Sequence, residues 1–356
     1  MISIVISTSA TVAAAGSHPQ EPSIFSKCWE FAINSNLGIA PAADASAVYV
    51  LDDENKLHAI DLARGNNLWS SEVGGAVVSN LLVLDDSIFL VTSTQSDLPN
   101  SSGKTIVRAL SRQTGITIWQ TETALSPVVW LGPVMGNVAS AGSDGSIAAY
   151  TRTDGKLVWK TDLTSPITSE PNFLDTSIEL GTENHEVVRI SGSTGGVQVA
   201  WKSEYRSTAV LTGTAGRLLV GDERGNLTLI SADGVKAWRF KNGAQISSVM
   251  VHDSEYLAAS HDNFVYKLSR SGNVKWKRRL SGRVLNKPVV LGDIAIVSIV
   301  GTGTVYALDL RNGKILNRIE TGDEVSLRIA GASKGQEFIV AGPRALSNFS
   351  SKCPSK

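Results

Sequence analysis

Apolar and polar residues alternate with a period of two in short runs along most of this chain, and the runs end in small polar clusters closed by glycine. Lys56-Leu-His-Ala-Ile-Asp-Leu-Ala-Arg-Gly65, Ser146-Ile-Ala-Ala-Tyr-Thr-Arg-Thr-Asp-Gly155 and Thr304-Val-Tyr-Ala-Leu-Asp-Leu-Arg-Asn-Gly313 are three copies of one such unit. A period of two puts alternate side chains on opposite faces, so each unit predicts a strand, a tight turn and a second strand. The glycine suits a turn position that needs positive φ. Upstream lie further apolar runs, such as Ala47-Val-Tyr-Val-Leu51, Arg217-Leu-Leu-Val-Gly221 and Ile294-Ala-Ile-Val-Ser298, each preceded by another short apolar stretch. β-Branched residues and glycine dominate these segments and no long stretch carries a stripe of period 3.6, which disfavours a helical repeat.

Tryptophan punctuates the pattern at Trp29, Trp69, Trp119, Trp159, Trp201, Trp238 and Trp276, with spacings of 40, 50, 40, 42, 37 and 38 residues; only Trp130 falls outside the series. A period near forty residues with four short strands per repeat is the composition of a propeller blade. Complete repeats end at Trp69, Trp119, Trp159, Trp201, Trp238 and Trp276 and, with the aromatic lost, near Asn317. That makes seven. Cys28-Trp-Glu-Phe-Ala-Ile33 reads as a lone last strand, and Glu337–Gly342 with Ala345–Phe349 as the strands that precede it. Together they predict an eighth blade shared by both termini, which covers the edges an open ring would expose; seven blades is the alternative count.

The expected fold is therefore all-β, an eight-bladed propeller of four-stranded antiparallel blades. Residues 1–22 read as a signal-like or disordered leader, 23–350 as one propeller domain and 351–356 as a C-terminal tail. The leader is apolar and rich in small residues around Val12-Ala13-Ala14, although a basic leading region is missing. Cys28 stands at the start of the last strand and Cys353 just past the end of its neighbour, so the two fall within disulfide reach. In an oxidising compartment a bond there would lock the ring; two unrelated free cysteines is the other reading. No apolar run approaches the length of a membrane span.

Net charge is zero, yet residues 1–178 hold 9 Lys/Arg against 17 Asp/Glu while residues 179–356 hold 24 against 16. In a closed ring this gives an acidic half and a basic half, the latter densest at Lys275, Lys277, Arg278, Arg279, Arg283 and Lys287. Such polarity steers an acidic partner; a solvated edge strand is the plainer account. Nucleic acid is not expected, since Trp276 alone lies in the cluster and the repeat claims it for packing.

The five histidines show no metal-ligand spacing, and neither a G-x-S-x-G elbow nor a P-loop occurs. Asp61, Thr151, Ser191, Ser231, Ser269 and Asp309 share one slot at the turns, where small polar side chains bond backbone N–H groups. A general acid is expected once, so this repetition argues for structure. No catalytic, cofactor-binding or metal-ligating residue is assigned.

The repeated Leu/Val-Tyr-Ala-Leu-Asp, the Asn-Gly or similar turn and the tryptophan four residues on resemble the pyrroloquinoline-quinone-type propeller repeat. Gly142-Ser-Asp-Gly145 to Trp159, Gly221-Asp-Glu-Arg-Gly225 to Trp238 and Thr304–Gly313 carry the likeness, which covers residues 28 to about 349. It implies that the tryptophans dock adjacent blades through stacking and the indole N–H. Within that family, quinoprotein dehydrogenases hold the quinone (PQQ) and a calcium ion in a central pocket, often beside adjacent cysteines. This chain has no adjacent cysteines and offers no placeable calcium set.

The other branch contains non-enzymatic scaffolds such as the lipoproteins of outer-membrane barrel assembly, which it resembles in length and in blade number. That resemblance implies a periplasmic or extracellular disc associated with the outer membrane. A lipid anchor at Cys28 is not expected, because Phe25-Ser-Lys27 precedes it instead of a small-residue lipobox. The resemblance also implies a protein partner in the envelope assembly machinery, bound through rim loops by a monomer. Candidate partner residues are Leu98 and Pro99, in the Thr94–Lys104 insertion that explains the 50-residue spacing, and the basic cluster. A redox enzyme and a secreted ligand-binding module are the competing functions.

Overall fold

A computed structural model describes residues 24–353 apart from 95–103, 126–127, 214–215, 285–286 and 333–336. The leader at 1–22, Leu98, Pro99 and the last three residues of the tail therefore lie outside the described residues. The alternating runs form eight antiparallel sheets arranged as an eight-bladed propeller, without helices among the described residues. Blade 1 runs outward through Ala42–Ala43, Ala47–Leu51, Lys56–Asp61 and Asn67–Glu72. Blades 2 to 7 follow in chain order. Blade 8 takes three strands from the C-terminal end, Arg328–Gly331, Glu337–Ala341 and Ala345–Ser350, and its outer strand Ser26–Ala32 from the N-terminal end. One detail differs from four plain strands per repeat: the inner strand of blade 2 is broken into Ala76–Val77 and Leu82–Leu84, both paired with Ser87–Ser93.

Burial explains the composition of each strand. Second strands such as Ala47–Leu51 and Leu218–Asp222 are buried along their whole length, because a blade covers each face, so they read as continuous apolar runs. Outer strands such as Lys236–Lys241 retain the alternation, one face toward the neighbouring blade and one toward water. The core is eight apolar clusters, one at each joint between adjacent blades. The smallest lies between blades 4 and 5, where Val187, Val210, Leu218, Val220 and Ile230 pack without a fully buried aromatic.

Ring closure is built from local chemistry at blade 8. The outer strand pairs with its neighbour from Ser26↔Ser350 through Trp29↔Asn348 to Ala32↔Ala345, and Cys28 and Cys353 are bonded with a Cα–Cα distance of 5.2 Å. Asn317 stands where blade 7 would carry its tryptophan. Its Oδ1 accepts from the backbone N–H of Ile24 (2.7 Å) and Phe25 (3.2 Å), and its Nδ2 donates to the Phe25 carbonyl (3.1 Å). Phe25, 2% exposed, then packs edge-on against Phe338 at 5.1 Å between ring centroids. The closing blade has no continuous turn for an indole to stack on, so an amide that clamps an incoming backbone replaces it. Asn317→Ala removes the three hydrogen bonds of this clamp and is expected to lower stability by about 2 kcal/mol in urea titrations.

Candidate functional site

Six tryptophans use the same docking geometry. The indole N–H donates to a carbonyl in the next blade's turn, as in Trp29 to Leu62 (2.8 Å), Trp69 to Arg112 (3.0 Å) and Trp119 to Arg152 (2.8 Å). Trp159 to Gly192 (2.8 Å), Trp238 to Arg270 (2.8 Å) and Trp276 to Leu310 (3.0 Å) complete the set. Each ring lies on the turn glycine of that blade. Gly155, at φ +68°, shows why no side chain is tolerated: a methyl there would overlap the indole of Trp119. A second lock escaped the sequence reading. Two residues beyond the tryptophan, Ser71, Thr121 and Thr161 donate a hydroxyl to the carbonyl of the same glycine, at 2.8, 2.8 and 2.6 Å. The recurring Trp-x-Ser/Thr was the signal.

Trp201 departs from its expected docking role. It follows its turn glycine Gly195 by six residues, where the other copies need four. In the sheet it pairs with Val187, whereas the docking position, opposite Arg189, is held by Gln198. Among the described residues its indole makes no bond to blade 5, and no atom approaches a side chain that would be built on Gly234. Trp201 packs instead at the edge of the small cluster between blades 4 and 5.

The basic cluster does not form one surface. Lys275, Lys277, Arg278 and Arg279 belong to the outer strand Val274–Arg279 of blade 6, where alternation sends them to opposite faces. Lys275 pairs with Glu255 at 2.5 Å, and Lys277 lies 5.4 Å from the centroid of the Phe264 ring. Arg278 is a docking residue, its Nε donating to the Gly313 carbonyl at 2.5 Å. Arg279 is exposed on that strand, and Arg283 is exposed in the passage to blade 7, close enough to His261 to help burial hold that imidazole below its usual pKa. Lys287 sits apart from all of them, at the central channel.

The channel mouth is a cavity of about 580 Å³ lined by the starts of inner strands from several blades. It brings together Asn80, Trp130, Glu170, Lys287 and Arg328, which are scattered through the sequence. Asn80 copies a strand pair, accepting from the Leu131 N–H at 2.7 Å and donating to its carbonyl at 3.1 Å. Arg328 ties blade 8 to blade 1 through a 2.5 Å bond to the Leu37 carbonyl, and burial lowers its pKa. Trp130, the tryptophan outside the repeat, is half-buried beside the exposed Val128. One carboxylate among two cationic side chains is a poor donor set for calcium, which prefers several anionic or neutral oxygens. Among the described residues, those at the channel mouth do not fit a calcium-bound quinone.

His252, Asp253 and Asp293 form the only group of three metal-ligating side chains among the described residues, near the joint of blades 6 and 7 and away from the channel mouth. Both imidazole nitrogens are already engaged, Nε2 with the Gly292 carbonyl at 2.9 Å and Nδ1 with Lys267 Nζ at 3.4 Å. The group is a polar patch at a blade joint.

Comparison with known proteins gives one consistent result. A profile of the family described as outer membrane protein assembly factor BamB matches residues 26–135, 102–224 and 223–343. Outer membrane protein assembly factor BamB of Yersinia pestis is 24% identical over 303 residues, covering 76% of this chain and 75% of that protein. The crystal structure of BamB from Moraxella catarrhalis superposes with a TM-score of 0.71 at 14% identity, over 92% of this chain and 99% of that one. Quinohemoprotein alcohol dehydrogenase from Comamonas testosteroni superposes equally well, TM-score 0.71 at 11% identity, over 94% of this chain and 77% of that one. Likeness at such identities speaks for the ring alone. Matched from the first strand of the closing blade to the last blade, the chain belongs to the family of outer membrane protein assembly factor BamB.

Proposed function

We propose that this protein is a non-enzymatic, monomeric scaffold that binds a protein partner of the outer-membrane assembly machinery in an extracytoplasmic compartment and carries neither quinone nor calcium. The family match along the whole ring is the observation that carries this reading. The disulfide fits an oxidising compartment. The channel's mixed charges favour a polar protein contact over a metal-bound cofactor.

The partner surface is the face at the channel mouth. Blade joints are committed to packing, and loops carried on a rigid scaffold are where recognition is found. Trp130 lies outside the docking series and at the channel mouth, and an amphipathic aromatic sharing a cavity with Glu170, Lys287 and Arg328 has the makeup of an interface hot spot. Trp130→Ala is expected to weaken partner capture at least about 10-fold when measured well below its unfolding midpoint, which the lost packing against the cluster between blades 3 and 4 lowers. Crosslinking in the native envelope, with quinone and calcium assayed on the same material, tests the whole reading. Recovery of barrel-assembly subunits without cofactor supports it; stoichiometric quinone with substrate-dependent dye reduction would replace it by an oxidoreductase.

A further inference from the structure

One blade joint is built differently from the rest. Opposite the docking position, the second strand is apolar in seven blades, from Tyr49 and Phe89 to Ile296 and Ile339, and it is Glu179 in blade 4. The register there runs Asn172↔Glu179↔Arg189↔Gln198, a polar row across all four strands. With Trp201 displaced along its strand, nothing fills the space an indole occupies elsewhere. A cavity of about 440 Å³ remains between blades 4 and 5, lined by Glu179, Arg189, Gln198 and Ser191 of one blade and Thr212 of the next.

Its polar groups are left unsatisfied. Glu179 is fully buried; Oε1 accepts from Arg189 Nε at 2.7 Å, while Oε2 has no partner. Thr212 Oγ1 is buried without a partner as well. Burial pushes the Glu179 carboxyl above the usual carboxylate range, against the pull of Arg189. Orphaned buried polar atoms are rare in folded proteins because each forfeits its hydration. Packing does not account for the ion pair either, since apolar fillers of similar volume generally stabilise as well or better.

We infer that this inter-blade cavity is a binding site for a neutral saccharide. An anionic ligand meets Glu179 and a cationic one meets Arg189, so the pair selects against net charge. Free acceptor and donor groups stand side by side, Glu179 Oε2 with the Arg189 terminal nitrogens, the Gln198 amide and the Thr212 hydroxyl. Sugar hydroxyls donate and accept at once and so satisfy both kinds. The volume suits one or two sugar rings within the usual range of small-molecule sites. The site opens on the face of the blade turns, opposite the channel mouth, so it is independent of partner docking.

Calorimetric titration of the full chain with glucose, N-acetylglucosamine, maltose and trehalose, beside gluconate and glucosamine as charged counterparts, tests this. At least one neutral probe is expected to bind one to one. Thr212→Val, close to isosteric, weakens that binding about 10-fold, the size of one lost hydrogen bond. Gln198→Trp refills the cavity and abolishes binding, with circular dichroism reporting that the blade still folds. Failure of all four neutral probes, tighter binding of gluconate or glucosamine, or unchanged binding in Gln198→Trp would overturn the assignment.

Discussion

Loss of the Cys28–Cys353 bond, by reduction or by the paired Cys28→Ala and Cys353→Ala substitutions, is expected to lower the free energy of unfolding by about 2–4 kcal/mol. The bond joins residues 325 apart in sequence, so the unfolded chain gains a great deal of freedom when it is cut. Chain-entropy reasoning sets a ceiling of about 6 kcal/mol for a closure this long. The measured loss should fall below that ceiling, because the Asn317 clamp, the Phe25–Phe338 contact and a full antiparallel ladder also hold the outer strand of blade 8. Hydrogen exchange should locate the damage: amides of Ser26–Ala32 lose protection first, while blades 3 and 4 keep theirs. Unchanged protection at Ser26–Ala32 would mean that the noncovalent contacts close the ring unaided.

Trp159→Ala is expected to cost about 3–5 kcal/mol, whereas Trp201→Ala costs about 1–2 kcal/mol. Both are tryptophans of the same repeat, and the difference lies in what each touches. Trp159 is 7% exposed, donates to Gly192 at 2.8 Å and lies on Gly195, with Thr161 bonded to the same turn. Trp201 is half-buried and makes no such bond. Urea midpoints with unchanged m-values check the contrast. Equal losses would show that area buried, rather than docking on the neighbouring turn, sets the worth of these side chains.

The ring was legible because its design is periodic: alternation marks strands, glycine marks turns, and the tryptophan interval marks blades. Closure was legible for a related reason, since Cys28–Ile33 reads as a last strand and Glu337–Gly342 with Ala345–Phe349 as the strands before it, even though they lie far apart in sequence. What stayed hidden lies where one-dimensional proximity misleads. Lys275 to Lys287 are neighbours in sequence, yet strand alternation turns Arg278 inward to the Gly313 carbonyl and the passage between blades carries Lys287 to the channel. The converse holds for Trp130, Glu170 and Arg328, which meet only because inner strands converge on one axis. Trp201 was within reach, because its six-residue distance from Gly195 breaks the four-residue rule. The charged partners Glu179 and Arg189 look like ordinary strand residues until register sets them opposite each other.

Because the two ends of the chain meet as neighbouring strands joined through Cys28 and Cys353, the gap in blade 8 is equivalent to the turn that every other blade keeps intact. The polypeptide's starting point is then a matter of topology rather than of architecture: bridging that gap with a glycine turn and cutting another blade's turn describes the same ring in a rotated order. In such a permuted chain blade 7 would regain a turn to rest on. Asn317, the residue that marks where the ring is closed by a strand from elsewhere in the sequence, would then lose its reason for not being tryptophan.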